Sequence, residues 1–576
     1  MKLIFDIETD GLDANVIWCI VCQDIETSKV YKFPPEKIQE GLALLESASC
    51  LIGHNIIGFD IPVLEKLTDI NLKGIPVIDT LVLSRLFNPV RDGGHSLEVW
   101  GNKLQYPKLD FKEFESYTPE MLHYCTNDVR LNSAVYDYLL NEGSYFSKQS
   151  QELEHDVFKI MKIQETNGFK FDYRRASIFV ATLREKVQSL EEEVHTTFKP
   201  KWVDIKEVIP KLKKDGELSK QGLRAEEYEK IKESGDMKPF MRQELKEFNL
   251  SSRQQIGEYL KDFGWKPTKF TPTGHPIVDE GSLSKIQDIP EAKLILEYLL
   301  LQKRIVQTES WISSLKDDGR VHGYVIPNGT ITGRMTHRNP NMAQVPSVSS
   351  PYGKSCRSFW GVNEGYKLVG VDASQLELRL LAHYMNDEDY IYEITQGDIH
   401  TYNQRLAGLK SRDEAKVFIY ALCYGAGNEK IGQIVGGNAT RGGQLRKRFF
   451  GSNPAFASLT TKVQRTAEKK YFKGLDGRKL FVRSQHAALN TLIQGAGAII
   501  MKKALVILDD VLKLNTIDYK FVANIHDEWQ IEVKESQADF VGELAVDSII
   551  KSGEHFNLRC PMDGEYKIGD NWSETH

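Results

Sequence analysis

Hydrophobic and polar positions along this chain alternate in two rhythms, and the switches between them mark most of its elements. Leu3-Ile4-Phe5-Asp6-Ile7-Glu8-Thr9-Asp10 reads as a strand, with Asp6 and Glu8 two residues apart and therefore on one face. The run from Val16 to Val21 is strand-like as well. Cys19 and Cys22 are three apart there and point to opposite faces, which argues against a shared zinc or redox site. From Gln149 the period lengthens to that of a helix. Leu153 to Gln164 carries apolar residues at helical spacing and stops at Asn167-Gly168, and Asp172 is placed to cap a second long helix running towards Val194. The stretch from Pro200 to Lys246 is rich in Lys and Glu and has little periodicity, so it reads as a solvated, partly helical insertion. Ser251 or Ser252 then caps a new helix, and a further long one spans about Ala292 to Gln307.

The C-terminal half carries the chemistry. Tyr366 to Asp372 reads as a short strand ending in an acid, and the residues from Ala373 to Leu381 have helical spacing. Val522 to Ile531 reads as a hairpin with Asp527 and Glu528 at its tip. Buried charges need partners, so such acids serve a core poorly; they suit divalent metals, the alternative being a solvated acidic turn. Between these stretches, Arg412, Lys416, Tyr420 and Tyr424 recur every fourth residue and share one helix face. Two cations followed by two aromatics suit phosphates running into stacked bases, the alternative being an amphipathic helix with a solvated end.

Composition narrows the class. With 576 residues, 41% of them hydrophobic, the chain can bury several cores, and two or more domains are expected. A net charge of −6 means that any nucleic-acid groove must come from local clustering. Seven scattered cysteines argue against a disulfide framework and for a reducing compartment. No signal peptide is visible and no apolar run reaches spanning length, so a soluble, intracellular protein is expected.

Asp372 to Arg379, Arg412-x3-Lys416-x3-Tyr420-x3-Tyr424-Gly425 and His526-Asp527-Glu528 together resemble motifs A, B and C of family A DNA polymerases. Asp398-Ile399-His400-Thr401, Lys473 to Lys479, His486 to Leu492 and Asn571-Trp572 resemble the replicative members from T7-like phages in particular. That resemblance implies a right-hand polymerase of palm, fingers and thumb. Asp372, Asp527 and the Ala373 backbone would be metal ligands, and Glu528 a supporting acid near the primer end. Arg412, Lys416 and His400 would hold the triphosphate, Tyr420 would face the sugar, and Glu377 would exclude ribonucleotides. Thr332-Gly333-Arg334 is similar to a motif that grips the primer–template backbone. Gln344, Arg357, Tyr424 and His526 stand where the family contacts DNA. His486, Asn490 and Gln494, about one helical turn apart, would read the minor groove, whose acceptors are common to all correct pairs.

The N-terminal acids resemble a second family. Asp6-x-Glu8, Asn55-x3-Phe59-Asp60 and Tyr124-x3-Asp128 are similar to the three motifs of DnaQ-like 3′–5′ exonucleases. This implies a ribonuclease-H-like fold, with Asp6, Glu8, Asp60 and Asp128 on the metals and Tyr124 with Glu8 orienting the attacking water. An α/β multidomain chain is therefore expected. Its exonuclease domain would cover 1–147 and its thumb 148–314, with a charged insertion at about 200–246 that tracks DNA or binds a partner. The palm would cover 315–384 and 490–576, split by fingers at 385–489. Glu377 and the attached nuclease favour DNA over RNA synthesis, and intact acids in both sites argue against a stand-alone nuclease or an inactive clamp. The resemblance further implies two Mg²⁺ ions per site, with Mn²⁺ as an alternative. It implies primer–template DNA and dNTPs as ligands, a phage helicase-primase and single-strand binding protein as partners, no membrane, and the cytoplasm of an infected bacterial host. T7-like polymerases recruit host thioredoxin through an insertion in the thumb. Here the insertion is shorter and its residues do not match that binding site, so thioredoxin is not carried over.

Overall fold

The structure is a computed structural model that describes every residue except Gln287. The chain divides into two compact units, one made of Met1–Asp172 with Ser314–His576 and the other of Tyr173–Ser313. The helix Lys148–Asn167, which sequence groups with the one after it, belongs to the first unit.

The first unit holds two principal sheets. In the N-terminal one, Lys2–Thr9 is central, flanked by antiparallel Ile17–Asp24 and parallel Cys50–Gly53, with Val30–Phe33 and Val77–Asp79 at the edges. Strand alternation sorts its side chains. Leu3, Phe5 and Ile7 enter one apolar cluster, while Ile4 enters the other, on the face that Asp6 and Glu8 share. Cys19 and Cys22 likewise fall in different clusters, and all seven cysteines are buried and free. The helix Pro119–Glu142 lies against this sheet and brings Cys125 and Val129 into the core beneath the acids.

The second sheet is fully antiparallel, ordered Tyr519–Ile525, Glu528–Lys534, Tyr366–Ala373 and Gly564–Gly569. Helices Ala488–Leu514 and Ala538–His555 bury its apolar face. Contrary to the expectation that no apolar run is long enough, the stretch containing Ala488–Leu514 could span a membrane by length and composition. Its most apolar window is 72% buried, because it is apolar on all sides as a core helix. Helices from Leu376 to Thr466 form an insert between the sheet's two halves. A buried quartet ties segments far apart in the chain. Glu154 receives Lys502 Nζ and Arg478 Nη1, each at 2.5 Å, and Arg478 also pairs with Asp476 at 2.7 Å.

In the second unit, helices Tyr173–Thr197 and Pro290–Ser313 pack together. Ser252 is the residue that caps helix Arg253–Asp262. The 200–246 stretch is solvated and partly helical as expected, but its main element was not legible in the sequence. It is mainly an antiparallel ribbon, Lys201–Val208 with Phe240–Lys246, and only Ala225–Ser234 is helical. Most of the ribbon's first strand is exposed, so no buried face imposed alternation on its sequence.

Candidate active sites

Antiparallel pairing builds the first site. Asp372 is in register with Glu528 on the neighbouring strand, and the Ala373 N–H donates to the Asp527 carbonyl at 3.1 Å. The turn is tightened by His526 in the left-handed region, at φ 59°. Burial, then the charges of Asp527 and Glu528, push the Asp372 carboxyl up to about 7.

The adjacent acids of motif C separate. Asp527 is half-exposed, whereas Glu528 begins the return strand and is buried. Glu528 accepts from Gln530 Nε2 at 2.7 Å and from the Trp572 indole, and it pairs with Arg357 at 3.5 Å and with His576 Nδ1 at 2.9 Å. Burial alone would raise its proton affinity, but His576, Arg357 and Trp572 hold it below the usual range. Glu528 is therefore committed inside the protein rather than displayed at the tip of the hairpin. Arg357 also corrects an expectation. It is 5% exposed, donates to the Pro346 carbonyl at 3.1 Å and lies 4.3 Å from the Trp572 ring, so it braces the site from within. His576, absent from the sequence reading, carried no local signal.

Two expected residues meet on the carboxylate of a third, Glu377. Arg334 donates to Glu377 Oε1 at 2.9 Å and Tyr424 to Oε2 at 2.8 Å. Residues 412, 416, 420 and 424 lie along the uncovered side of the helix Arg412–Cys423 and its C-cap, with Tyr420 half-buried and the others exposed. Tyr420 sits 6.5 Å from the ring of His400, and burial with the charge of Glu377 raises its hydroxyl to about 12. His400 is 5% exposed and its Nδ1 has no hydrogen-bond partner among the described residues; burial first, then the charges of Arg412 and Lys416, lowers its proton affinity. Arg412 forks onto Asp398, at 2.8 and 3.2 Å. Gln344 closes the short turn Met342–Gln344. His486 is exposed, and Asn490 and Gln494 show one half-exposed edge of the long helix.

The second site lies on the N-terminal sheet. Asp6 and Glu8 point from the central strand towards Asp128 and Tyr124, one turn apart on the helix Pro119–Glu142. Asp60 opens its own helix and accepts the Ile7 N–H at 3.2 Å. Burial first, then mutual repulsion, pushes Asp6 well above its ordinary range and Glu8 up to about 9. Burial raises Asp60 to about 7 and also raises Asp128. Cys125 donates weakly to Asp6 Oδ2 at 3.6 Å. Three further features were not read from sequence. Lys108 pairs with Asp128 at 2.6 Å, and its stretch resembles any solvated loop. Cys125 is an ordinary core residue by pattern. Leu12, 93% exposed, stands three residues beyond the strand that carries Glu8.

Both sites suit hard divalent cations. They concentrate carboxylate oxygens; Asp372 in the first site and Asp6, Glu8, Asp60 and Asp128 in the second have raised proton affinities, and Asp128 Oδ1 is buried with no hydrogen-bond partner among the described residues.

Comparison with known proteins agrees with this geometry. The family model for DNA polymerase family A matches residues 217–574. The chain is 34% identical over 706 aligned residues to the DNA-directed DNA polymerase of Enterobacteria phage T3, and equally to that of Escherichia phage T7, covering 100% of both chains in each case. It is 26% identical to DNA polymerase I of Helicobacter pylori over 96% of this chain and 58% of that one. The polymerase domain of Pol1 from M. smegmatis, solved with DNA primer-template and dNTP, shares the fold at a TM-score of 0.80 and 19% identity, covering 100% of this chain and 96% of that one. Motifs, sheet and insert thus lead to one conclusion: the chain belongs to DNA polymerase family A, as a DNA-directed DNA polymerase of the T7-like phage type.

Proposed function

We propose that this polymerase extends primers by two-metal nucleotidyl transfer and proofreads them with the N-terminal acid cluster as a 3′–5′ exonuclease. The observation that carries the first part is that the strand end holding Asp372 adjoins the turn holding Asp527, the Ala373 N–H donating to the Asp527 carbonyl, although the two acids lie far apart in the chain. Asp372, Asp527 and the Ala373 carbonyl would hold two divalent ions, and Asp6, Glu8, Asp60 and Asp128 two more, Mg²⁺ or in its place Mn²⁺. Such ions lower the proton affinity of the attacking oxygen and brace the departing one.

The chain's own residues do the rest. The primer 3′-hydroxyl attacks the α-phosphate of a dNTP while Arg412, Lys416 and His400 take the triphosphate. Arg412 exchanges one anion for another as it leaves Asp398, so the fork geometry is retained. Glu377, gripped from two sides, crowds the sugar's 2′ position, and Tyr420 faces its 3′ side. Arg334, Gln344, Tyr424, His486, Asn490, Gln494 and His526 contact primer–template DNA. Glu528, with Arg357 and His576, supports the floor under the primer end. In the second site Tyr124 and Glu8 orient the water, and Leu12 offers an apolar face to the terminal base.

The corresponding domains are an exonuclease over 1–147, a thumb over 173–313 that leaves out the helix Lys148–Asn167, a palm over 315–384 and 490–576, and fingers over 385–489. A host-cytoplasmic location, helicase-primase and single-strand binding partners rest on the T7-like resemblance. The test is separation of activities. Asp372→Ala or Asp527→Ala should lower primer extension by orders of magnitude and leave single-strand degradation intact; Asp6→Ala with Glu8→Ala should do the converse. One change abolishing both activities in folded protein would disprove the two-site reading.

A further inference from the structure

Lys108 stands among the N-terminal acids, and no step proposed for that site uses it. It lies on the segment between helices Leu97–Leu104 and Pro119–Glu142, and that segment is pinned. Tyr106 N–H donates to the Gly101 carbonyl at 2.9 Å, Asn127 Nδ2 to Pro107 at 3.4 Å and Trp18 Nε1 to Phe114 at 2.9 Å. The Phe111 ring stacks on Tyr124 at 5.4 Å. Gly101 permits the close approach, since a Cβ there would stand 2.7 Å from the Tyr106 carbonyl and 3.1 Å from the Lys108 nitrogen. A fixed backbone thus delivers the side chain, which is 27% exposed. Its Nζ lies 2.6 Å from Asp128 Oδ2 and 5.0 Å from the centre of the Tyr124 ring.

Neutralising the cluster is a poor account of this lysine, because one ammonium faces the four carboxylates of Asp6, Glu8, Asp60 and Asp128. Two divalent cations would balance those carboxylates without it. The ammonium would then be in surplus by one charge, which is the charge of a single phosphodiester. A compact cation on a flexible stem can change partners where a rigid guanidinium fork would not.

We propose that Lys108 is a catalytic residue of the nuclease site: its ammonium holds Asp128 until a metal engages that carboxylate, then serves a non-bridging oxygen of the scissile phosphodiester. The inference rests on the exonuclease reading. Hydrolysis adds hydroxide to phosphorus and leaves the other proton of water on the departing O3′, with no change of oxidation state. Lys108 neither gives nor takes that proton; it supplies fixed charge where negative charge builds up.

The full-length chain with Asp372→Asn, which silences synthesis, is the background for the test. Single-turnover degradation of a labelled single strand and Mn²⁺ binding without DNA, followed by electron paramagnetic resonance, are measured with Lys108→Met and Lys108→Arg. Lys108→Met should cleave ~100-fold more slowly yet bind Mn²⁺ several-fold more tightly, because a competing cation is gone. Lys108→Arg should recover most of the rate, and thermal midpoints report folding. Slower cleavage with unchanged or weaker Mn²⁺ binding would make Lys108 a prop for Asp128 and overturn the proposal, as would undiminished cleavage by Lys108→Met. Failure of the exonuclease reading itself appears earlier, as a background protein with intact Lys108 that degrades nothing.

Discussion

The Tyr424 hydroxyl donates to Glu377 at 2.8 Å, joining residues 47 positions apart, while Arg334 holds the other carboxylate oxygen at 2.9 Å. The glutamate expected to screen the sugar is thus fixed by one residue of motif B and by the Thr-Gly-Arg stretch. A hydrogen bond to a charged group contributes about 1.5–3 kcal/mol, which converts to roughly tenfold or more in selectivity. Glu377→Ala should raise rNTP use most, and Tyr424→Phe should raise it by less, about tenfold, by loosening a carboxylate that remains in place. Single-nucleotide incorporation of rNTP against dNTP reads both; an unchanged ratio in Glu377→Ala would remove the sugar-screening role.

Tyr420 yields a second expectation. Its phenol lies between His400 and Tyr424, with ring centres 6.5 and 6.4 Å away, on the same helix as Lys416. When an incoming nucleotide lacks its 3′-hydroxyl, the phenol can replace the contact that the β-phosphate otherwise receives from the sugar. A Phe leaves that acceptor unmet at a cost of roughly 1–3 kcal/mol. With its exonuclease silenced, the unmodified enzyme should accept ddNTPs nearly as well as dNTPs, and Tyr420→Phe should discriminate about tenfold to a hundredfold. Competition between the two nucleotides measures this; strong discrimination by the unmodified enzyme would show that Tyr420 does not face the sugar.

Glu8 makes stability depend on pH in a definite direction. Its carboxyl is raised from 4.5 to about 9 by burial first and then by neighbouring groups, among them Cys19 and Asp128. The folded state therefore binds its proton more tightly than the unfolded state, and its contribution is lost as pH rises from about 4.5 to about 9. In metal-free protein, Glu8→Gln should match the parent near pH 5 and exceed it in thermal midpoint near pH 9. Mn²⁺ should narrow the gap by stabilising the parent more. Melting curves across that range decide it, and a gap that shrinks with rising pH would contradict the assignment.

Much of the site was legible because it depends on local geometry. Asp6 and Glu8 share a face because strand side chains alternate, and Arg412, Lys416, Tyr420 and Tyr424 share one because every fourth helical residue nearly coincides. The same alternation placed Cys19 and Cys22 apart. The motifs, by their resemblance to a known family, pointed to DNA polymerase family A and to the acids proposed here as catalytic. Tertiary structure decided whatever depends on which distant group meets a charge. Asp527 and Glu528 are neighbours in sequence, yet Glu528 is turned inward because Trp572, Arg357, Gln530 and His576 satisfy it there. Lys108 and Lys502 look like any other lysines in the chain; burial against Asp128 and Glu154 sets them apart. The ribbon of the insertion was hidden for the opposite reason. Its strands pair across more than thirty residues and bury so little that no apolar alternation was imposed on them. Periodicity records the burial of a face, whereas the partner of a buried charge is set by the packing of segments far apart in the chain, and only the folded chain specifies that.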